Sequence, residues 1–168
     1  MLLREQDRII EEHQKRPPIK VVSLAHDLGL KVYRTELPEK VSGMIKKDDE
    51  EGGDSGYAIY VNEMHSETRR RFTIAHEIAH FILHKKIIGD GVVEDALLRS
   101  DALSNAVEIQ ANSLAADILM PNDLIKKAKK DGYKTITELA EYFNVSRDAM
   151  AIRLYKMNYE SAVRNGYR

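Results

Sequence analysis

The sequence predicts an α+β fold in which a small three-stranded antiparallel sheet packs against helices. Two helical patterns open the chain, and three short segments rich in β-branched and aromatic residues follow them. Every later segment with a clear hydrophobic period is helical. Strands that are grouped together, rather than alternating with helices, are typical of α+β folds and not of doubly wound parallel sheets.

The first two predicted elements are short amphipathic helices. One runs from Leu2 to Lys15 and is stopped by Pro17 and Pro18. The other lies in "IKVVSLAHDLGL" and ends at Gly29. Its buried face is predicted to consist of five apolar residues: Val21, Val22, Leu24, Ala25 and Leu28.

The three predicted strands are "KVYRTEL", "VSGMIKK" and "YAIYVN". Pro38 separates the first two, and the polar stretch "DDEEGGDSG" separates the second from the third. We expect these strands to form an antiparallel sheet with a flexible acidic hairpin tip.

A long helix is predicted in "SETRRRFTIAHEIAHFILHKK", with Ser66 as its N-cap. "IIGDGVVEDALLRSDALS" has no sustained period and is predicted to be a loop with short helical turns, and "NAVEIQANSLAADILMP" is predicted to be a helix that ends at Pro121. Three short helical patterns complete the chain. We expect residues 1–120 to form the main domain and residues 121–168 to form a helical extension that packs on it.

Composition excludes several classes of function. The 26 Lys+Arg and 27 Asp+Glu nearly cancel, so no overall charge draws the chain to nucleic acid or anionic lipid. There is no cysteine, which excludes disulfide scaffolds, thiolate metal sites and cysteine nucleophiles. The charged N-terminus is unlike a signal peptide, and no apolar run approaches the ~20 residues that span a bilayer. We therefore expect a cytoplasmic protein without a membrane partner.

The chemistry of the sequence is concentrated in the predicted long helix, where His76, Glu77 and His80 interrupt an apolar stretch. Histidines four apart project from one helical face, so both rings can reach one divalent ion. Glu77 lies beside them, where it could take a proton from an attacking water. This is the HExxH pattern of zinc peptidases. The alternative, two histidines bonded to ordinary neighbours, is disfavoured because burying these groups without partners is costly.

A tetrahedral site needs a third protein ligand. His84 lies roughly 12 Å along the helix axis from His76, too far to share an ion, so we expect it to support the site or cap the helix. The best candidate is Glu108, because Ala111 and Ala115 on its face would allow close helix packing. Asn112 could orient the Glu108 carboxylate. Three other carboxylates are rivals: Glu94, Asp95 and Asp101.

At "RRRFTIAHEIAHFILH" and "EIQANSLAADILMP" the chain resembles the ImmA/IrrE metallo-endopeptidases of bacteria and their mobile elements. "SGMI" and "YAIYVN" also look like that family's strands, and the resemblance covers roughly residues 21–154. It implies His76, His80 and Glu108 as Zn²⁺ ligands, with Mn²⁺ as a possible substitute, and Glu77 as catalytic base. It also implies the substrate, a helix-turn-helix repressor whose cleavage switches on genes of a stress response, a mobile element or a toxin–antitoxin pair.

Several further residues could contribute to such a reaction. "YAIYVN" could be an edge strand that holds an extended substrate, or an ordinary strand of the sheet. The sequence does not choose among four candidates for stabilising the oxyanion: Tyr57, Tyr60, His65 and Tyr133.

The C-terminal "ITELAEYFNVSRDAMAIRL" resembles a helix-turn-helix, with two departures: Asn144 stands where glycine is usual, and Arg153 where an apolar residue is usual. Arg147, Asp148 and Arg153 are a poor set for phosphate binding, so we expect a helical scaffold or partner-docking surface rather than a DNA reader. The arginines at 69–71 are expected on a solvated face. The alternative to a peptidase is a non-proteolytic regulator that binds a partner repressor or DNA through these helices. The oligomeric state is not predicted.

Overall fold

The computed structural model describes residues 2–88, 92–94 and 101–165. Within these ranges the chain forms eight helices and four strands, and the predicted α+β class is confirmed. The helices are α1 (Leu2–His13), α2 (Val21–Asp27), α3 (Glu67–Leu83), α4 (Lys85–Ile88), α5 (Asp101–Leu119), α6 (Asn122–Lys130), α7 (Ile136–Phe143) and α8 (Arg147–Arg164). The strands are β1 (Leu30–Thr35), β2 (Gly43–Lys47), β3 (Tyr57–Asn62) and β4 (Val92–Glu94).

The sheet is mixed, so the prediction of three antiparallel strands is wrong in two respects. Its order is β1-β3-β2-β4. β2 and β3 form the expected hairpin, but β1 runs parallel to β3. The connection after β1 crosses to the far side of the position that β3 occupies, and β2 begins there. β3, the second strand of the hairpin, then lies between β1 and β2. The second difference is β4, which pairs antiparallel with β2 inside a segment that was predicted to be a loop.

Helix α3 begins where the sequence predicts, because the Ser66 side chain accepts a hydrogen bond from the Arg69 backbone N–H. Its residues from Thr73 to Phe81 are all buried. Such complete burial requires neighbours around the helix, and α3 contacts β2 and β3 of the sheet as well as α5 and α2. The long helix is therefore the centre of the fold, and its polar residues His76, Glu77 and His80 are enclosed.

The helices after residue 121 share one apolar core with the rest of the described chain. Leu139, Phe143 and Met150 belong to the same buried cluster as Ile59 of the sheet and Ile78 of α3. This packing agrees with the expected docking of the C-terminal helices. The division of the chain into two domains stays a prediction.

Two arginines have different environments from those the sequence suggests. Arg71 is not solvated: its guanidinium donates to the carbonyl oxygens of Ile19 (2.8 Å), Asn144 (3.0 Å) and Phe143 (3.5 Å). Burial is the main influence on this group and lowers its pKa. Arg153 is buried, where its Nε donates to Met120 O (2.9 Å) and its Nη1 lies 2.7 Å from Asp117 Oδ1. Arg71 thereby links three parts of the chain, and Arg153 holds α8 against α5.

The turn between α7 and α8 contains the left-handed residue that is usual in a helix-turn-helix. Asn144 takes a left-handed conformation (φ 51°, ψ 53°), so it replaces the usual glycine there.

One smaller prediction is wrong: the side chain of Val22 is 54% exposed and lies outside the buried face of α2. Among the described residues, none of the helices has the length and apolar character needed to cross a bilayer.

The bonds of Arg71 generate a prediction about stability. Arg71→Met removes three hydrogen-bond donors. The carbonyl oxygens of Ile19, before α2, and of Phe143 and Asn144, at the end of α7, then lose the hydrogen bonds from Arg71. Because hydrogen bonds to a charged group contribute about 1.5–3 kcal/mol each and are not additive, we expect a loss of about 2–4 kcal/mol in the free energy of unfolding. Urea unfolding in the presence of a chelator measures it. Exposed Arg147 provides the control, since Arg147→Met should change stability by less than about 0.5 kcal/mol.

Candidate metal centre

The helical period of α3 puts His76 and His80 on one face, one turn apart. Their rings meet edge to face with centroids 4.6 Å apart, and their Nε2 atoms are 3.0 Å apart. Both residues are buried, with 8% and 0% of their surfaces exposed. Two imidazole nitrogens therefore point at one enclosed position.

Helix α5 brings Glu108 to the same position. Its Oε2 lies 3.1 Å from His76 Nε2, and its Oε1 lies 3.1 Å from His80 Nε2. Ala111 and Ala115 follow on the same face of α5 and are fully buried, which allows α3 and α5 to pack closely. Of the rival carboxylates, Asp95 and the side chains of Glu94 and Asp101 lie outside the described residues.

Asn112 contacts a histidine, and not the Glu108 carboxylate as the sequence suggested. Its Oδ1 lies 2.8 Å from His76 Nδ1. A carbonyl oxygen only accepts, so Nδ1 carries the proton in this bond. In the neutral ring the lone pair then belongs to Nε2, the atom that faces His80 and Glu108. Asn112 thus selects the tautomer in which His76 can bind a cation.

A second chain of hydrogen bonds orients His80. His84 caps the C-terminus of α3, and its Nδ1 lies 3.0 Å from His80 Nδ1. Its Nε2 lies 2.9 Å from Gln110 Oε1, which can only accept. With neutral rings, His84 therefore donates to Gln110 and accepts from His80 Nδ1, which leaves the lone pair of His80 on Nε2. The sequence did not point to Gln110, because this contact depends on how α5 lies against α3.

These groups fit a cation. His76, His80 and Glu108 each offer one ligand atom, and these atoms lie within 4.8 Å of one another. The shortest distances between these ligand atoms are 3.0–3.1 Å. Two ligand atoms of a tetrahedral Zn²⁺ are about 3.3 Å apart when each metal–ligand bond is about 2.0 Å long, so the observed spacing is close to that of a zinc site. In the tautomers described, all three present lone pairs and no hydrogen. Glu108 Oε1 is buried and, within the described part of the chain, accepts no hydrogen bond despite the nearby His80 ring.

The Glu108 carboxyl is ionised at neutral pH. Burial raises its pKa, but hydrogen bonds that the His76 and His80 rings donate when they are protonated, together with the positive charge of those rings, outweigh burial. The pKa falls from 4.5 to about 2. A cation between these residues acts in the same direction, because it too favours the carboxylate.

Glu77 follows His76 on α3 and is buried, with 1% of its surface exposed. Its neighbours on the helix are the two histidines of the cluster. The structure thus buries a carboxyl group that directly follows a predicted metal ligand on α3, and its role as a base stays a prediction.

The four candidates for oxyanion stabilisation have other contacts. The Tyr60 hydroxyl donates to Asp48 Oδ2 (3.0 Å), Tyr57 packs edge-on against Phe81, and Tyr133 stacks on Tyr142. His65 Nε2 lies 3.0 Å from the carbonyl oxygen of Glu39. None of these contacts involves the cluster of His76, His80 and Glu108.

β3 lies between β1 and β2, so the suggestion that it is an edge strand is wrong. Its backbone groups pair with both neighbours, so it cannot add a substrate strand.

A helix with the HExxH pattern packed against a helix that supplies a glutamate is the arrangement of ligands found in metallopeptidases with a two-histidine, one-carboxylate centre. Residues 25–155 match the family model described as the IrrE N-terminal-like domain. The chain belongs to this family, and the resemblance to ImmA/IrrE proteins is confirmed.

Two known proteins are similar to this chain, one in sequence and one in fold. It is 27% identical over 128 residues to metallopeptidase ImmA of Bacillus subtilis (strain 168), an alignment that covers 75% of this chain and 64% of that protein. The chain therefore spans less than two thirds of the length of that relative. A transcriptional regulator of Mycobacterium tuberculosis has a similar fold, with a TM-score of 0.62 and 20% identity. That match covers 91% of this chain and 46% of the other, and it shows the fold alone.

The bonds of His84 generate a prediction about metal affinity. His84→Ala removes the acceptor that holds the proton on His80 Nδ1, so His80 loses its fixed orientation. Loss of such a partner typically weakens metal binding by about 10–100-fold. Competition against a chromophoric chelator measures the change in the purified protein.

Gln110 offers a matched pair for the same experiment. Gln110→Glu keeps an acceptor for His84 and should retain the affinity, whereas Gln110→Leu removes the acceptor and should weaken it. Equal affinities for the wild type and His84→Ala would show that His84 does not orient His80.

Proposed function

We propose that this chain is a zinc-dependent endopeptidase that cleaves a helix-turn-helix transcriptional repressor. The observation that carries the proposal is the convergence of His76, His80 and Glu108 on one position, in a chain of the ImmA/IrrE family. A protein that acted only by binding would have no need for these buried groups, which are costly to enclose.

His76, His80 and Glu108 would hold the metal, and Asn112 and His84 would orient the two rings. Two imidazoles and a carboxylate suit Zn²⁺, although Mn²⁺ also accepts such ligands. When bound, the ion supplies a Lewis acid that lowers the pKa of water and polarises a peptide carbonyl. The burial of His76 and His80 limits their contact with bulk water and strengthens these electrostatic effects.

Glu77 would move the protons. Its carboxylate accepts a proton from the attacking water and passes that proton to the amine of the leaving peptide. Because Glu77 is next to His76 but is not one of the three ligands, it can take up and release a proton while all three ligands stay bound to the metal.

The substrate is proposed from the family. The Bacillus subtilis relative is named as a metallopeptidase, and the Mycobacterium tuberculosis protein with the similar fold is named as a transcriptional regulator. A repressor encoded near this chain is the natural first candidate, and its cleavage would switch on the genes it silences. Such a substrate binds the chromosome, so we propose that the protein acts in the cytoplasm.

The competing function is a regulator that binds DNA or a repressor without cutting it. The left-handed Asn144 at the turn between α7 and α8 favours it, because a helix-turn-helix usually has such a residue there. In DNA-binding proteins of this type, the N-terminal part of the second helix enters the major groove. Here that part of α8, around Ala149 and Ile152, faces α3 and α5 across a groove, so DNA would have to compete with these helices.

The two functions are separated by Glu77→Gln. The variant keeps the size of the side chain and a hydrogen-bonding group but lacks the base, so metal should remain and turnover should fall by at least about 10²–10⁴-fold. Repressor cleavage, metal content and expression from the repressed promoter are measured together. We expect one Zn²⁺ per chain, normal repressor binding, an intact repressor and silent genes.

His80→Ala serves as the contrasting variant, because it should lose the metal as well as the activity: two protein ligands rarely hold zinc tightly. Full derepression by Glu77→Gln would refute the peptidase function and establish the binding function. Wild-type protein that retains no metal after incubation with Zn²⁺ and dialysis would refute the metal centre itself.

A further inference from the structure

A groove of about 650 Å³ lies between the start of α3, the middle of α5 and the N-terminal half of α8. We call it the α3–α5–α8 groove. One wall of the groove is α8 of the helix-turn-helix-like segment, which has no role in the metal centre, and the other walls are the two helices that carry the metal cluster. A peptide bound in this groove would contact α8.

The groove begins beside the metal cluster. Asn112 lines it, and the same side chain contacts His76 Nδ1 at 2.8 Å. Ile109, which also lines it, directly follows Glu108 on α5. A peptide in the groove therefore lies next to Asn112, which contacts one predicted ligand, and to Ile109, which follows another in the chain.

The walls of the groove expose apolar surface that the fold leaves uncovered. Ile109 on α5 is 67% exposed, and Ile152 on α8 is 59% exposed. Phe72 of α3 and Ala116 of α5 add further apolar surface. Large aliphatic side chains that share one concave surface indicate a binding site, whereas singly scattered ones carry no such meaning.

The charge of the groove is positive. Its lining includes Arg69, Arg153 and Lys156, and among the described residues that line it there is no aspartate or glutamate. Arg153 is paired with Asp117, but Arg69 and Lys156 are in no salt bridge within the described ranges, and Arg69 donates to the neutral Ser42 hydroxyl. The whole chain has a net charge of −1, so this is a local feature. It complements acidic side chains.

We propose that the α3–α5–α8 groove binds a segment of the peptide substrate that carries both acidic and apolar side chains, and that α8 thereby determines specificity. This proposal rests on the peptidase function. Ile109 and Ile152 contact the apolar side chains, and Arg69 and Lys156 contact the acidic ones. The helix-turn-helix-like segment reads a peptide here and not a DNA sequence.

Two fluorescent synthetic peptides test the proposal. They have equal length and equal apolar residues, with glutamates in one and lysines at the same positions in the other. The host is full-length Glu77→Gln loaded with Zn²⁺, and fluorescence anisotropy measures the Kd. We expect the acidic peptide to bind at least about tenfold more tightly, with an advantage that declines as salt is added.

Variants of α8 locate the binding surface. Lys156→Glu should weaken binding of the acidic peptide by about tenfold, and Ile152→Ser should weaken binding of both peptides. Arg147→Glu makes the same charge change on the same helix outside the groove, so its Kd should stay within about twofold of the host. Equal affinities for the two peptides, no binding of either peptide, or an equal effect of Arg147→Glu and Lys156→Glu would overturn the proposal.

A kinetic measurement separates this proposal from the proposed function. For cleavage of the candidate repressor, Lys156→Glu should raise KM and leave kcat unchanged, because it affects binding alone. Selective binding of the acidic peptide without cleavage of the candidate repressor would support peptide binding in the groove and contradict the proposed peptidase function. Cleavage with an unchanged KM in Lys156→Glu would support the peptidase function and contradict substrate binding in the groove.

Discussion

The fold depends on bringing three acceptor atoms from two helices to one buried position. The Nε2 atoms of His76 and His80 and the carboxylate of Glu108 approach within 3.0–3.1 Å. Lone pairs at this distance repel unless a cation or protons lie between them. Close packing of α3 against α5 is therefore coupled to what these atoms bind: buried Ala111 and Ala115 bring the helices together, and a shared cation would link them.

The same constraint explains why an otherwise apolar helix can bury its histidines. Each ring has two nitrogens, and each nitrogen has a defined partner or position. The Nδ1 of His76 is bonded to Asn112, and the Nδ1 of His80 is bonded through His84 to Gln110. These bonds satisfy the outer nitrogens and turn both inner lone pairs to one position. The cost of enclosing polar groups is thus offset by a network that also holds the site rigid.

Local rules predicted much of this arrangement, and the remainder depends on contacts between distant segments. The helical period alone puts His76 and His80 on one face, and small residues on α5 indicated Glu108. The parallel pairing of β1 with β3 could not be predicted, because the strand patterns do not reveal the path of the connection. Gln110 was missed because its contact with His84 joins residues 26 positions apart. The role of Arg71, which bonds to carbonyl oxygens 52 to 73 positions away, was missed for the same reason.

One departure from a helix-turn-helix sequence, Arg153, is also explained by contacts between distant segments. Arg153 occupies an apolar position because it bonds to Met120 O and Asp117, near the end of α5, and so fixes α8 beside that helix. One face of α5 carries Glu108 to the metal centre, and another lines the α3–α5–α8 groove. A shift of α8 would change the width of the groove, whereas a shift of α5 would change both the groove and the metal centre. Peptide binding in the groove and chemistry at the metal centre therefore both depend on the position of α5. The contacts of buried Arg153 fix the position of α8 relative to α5.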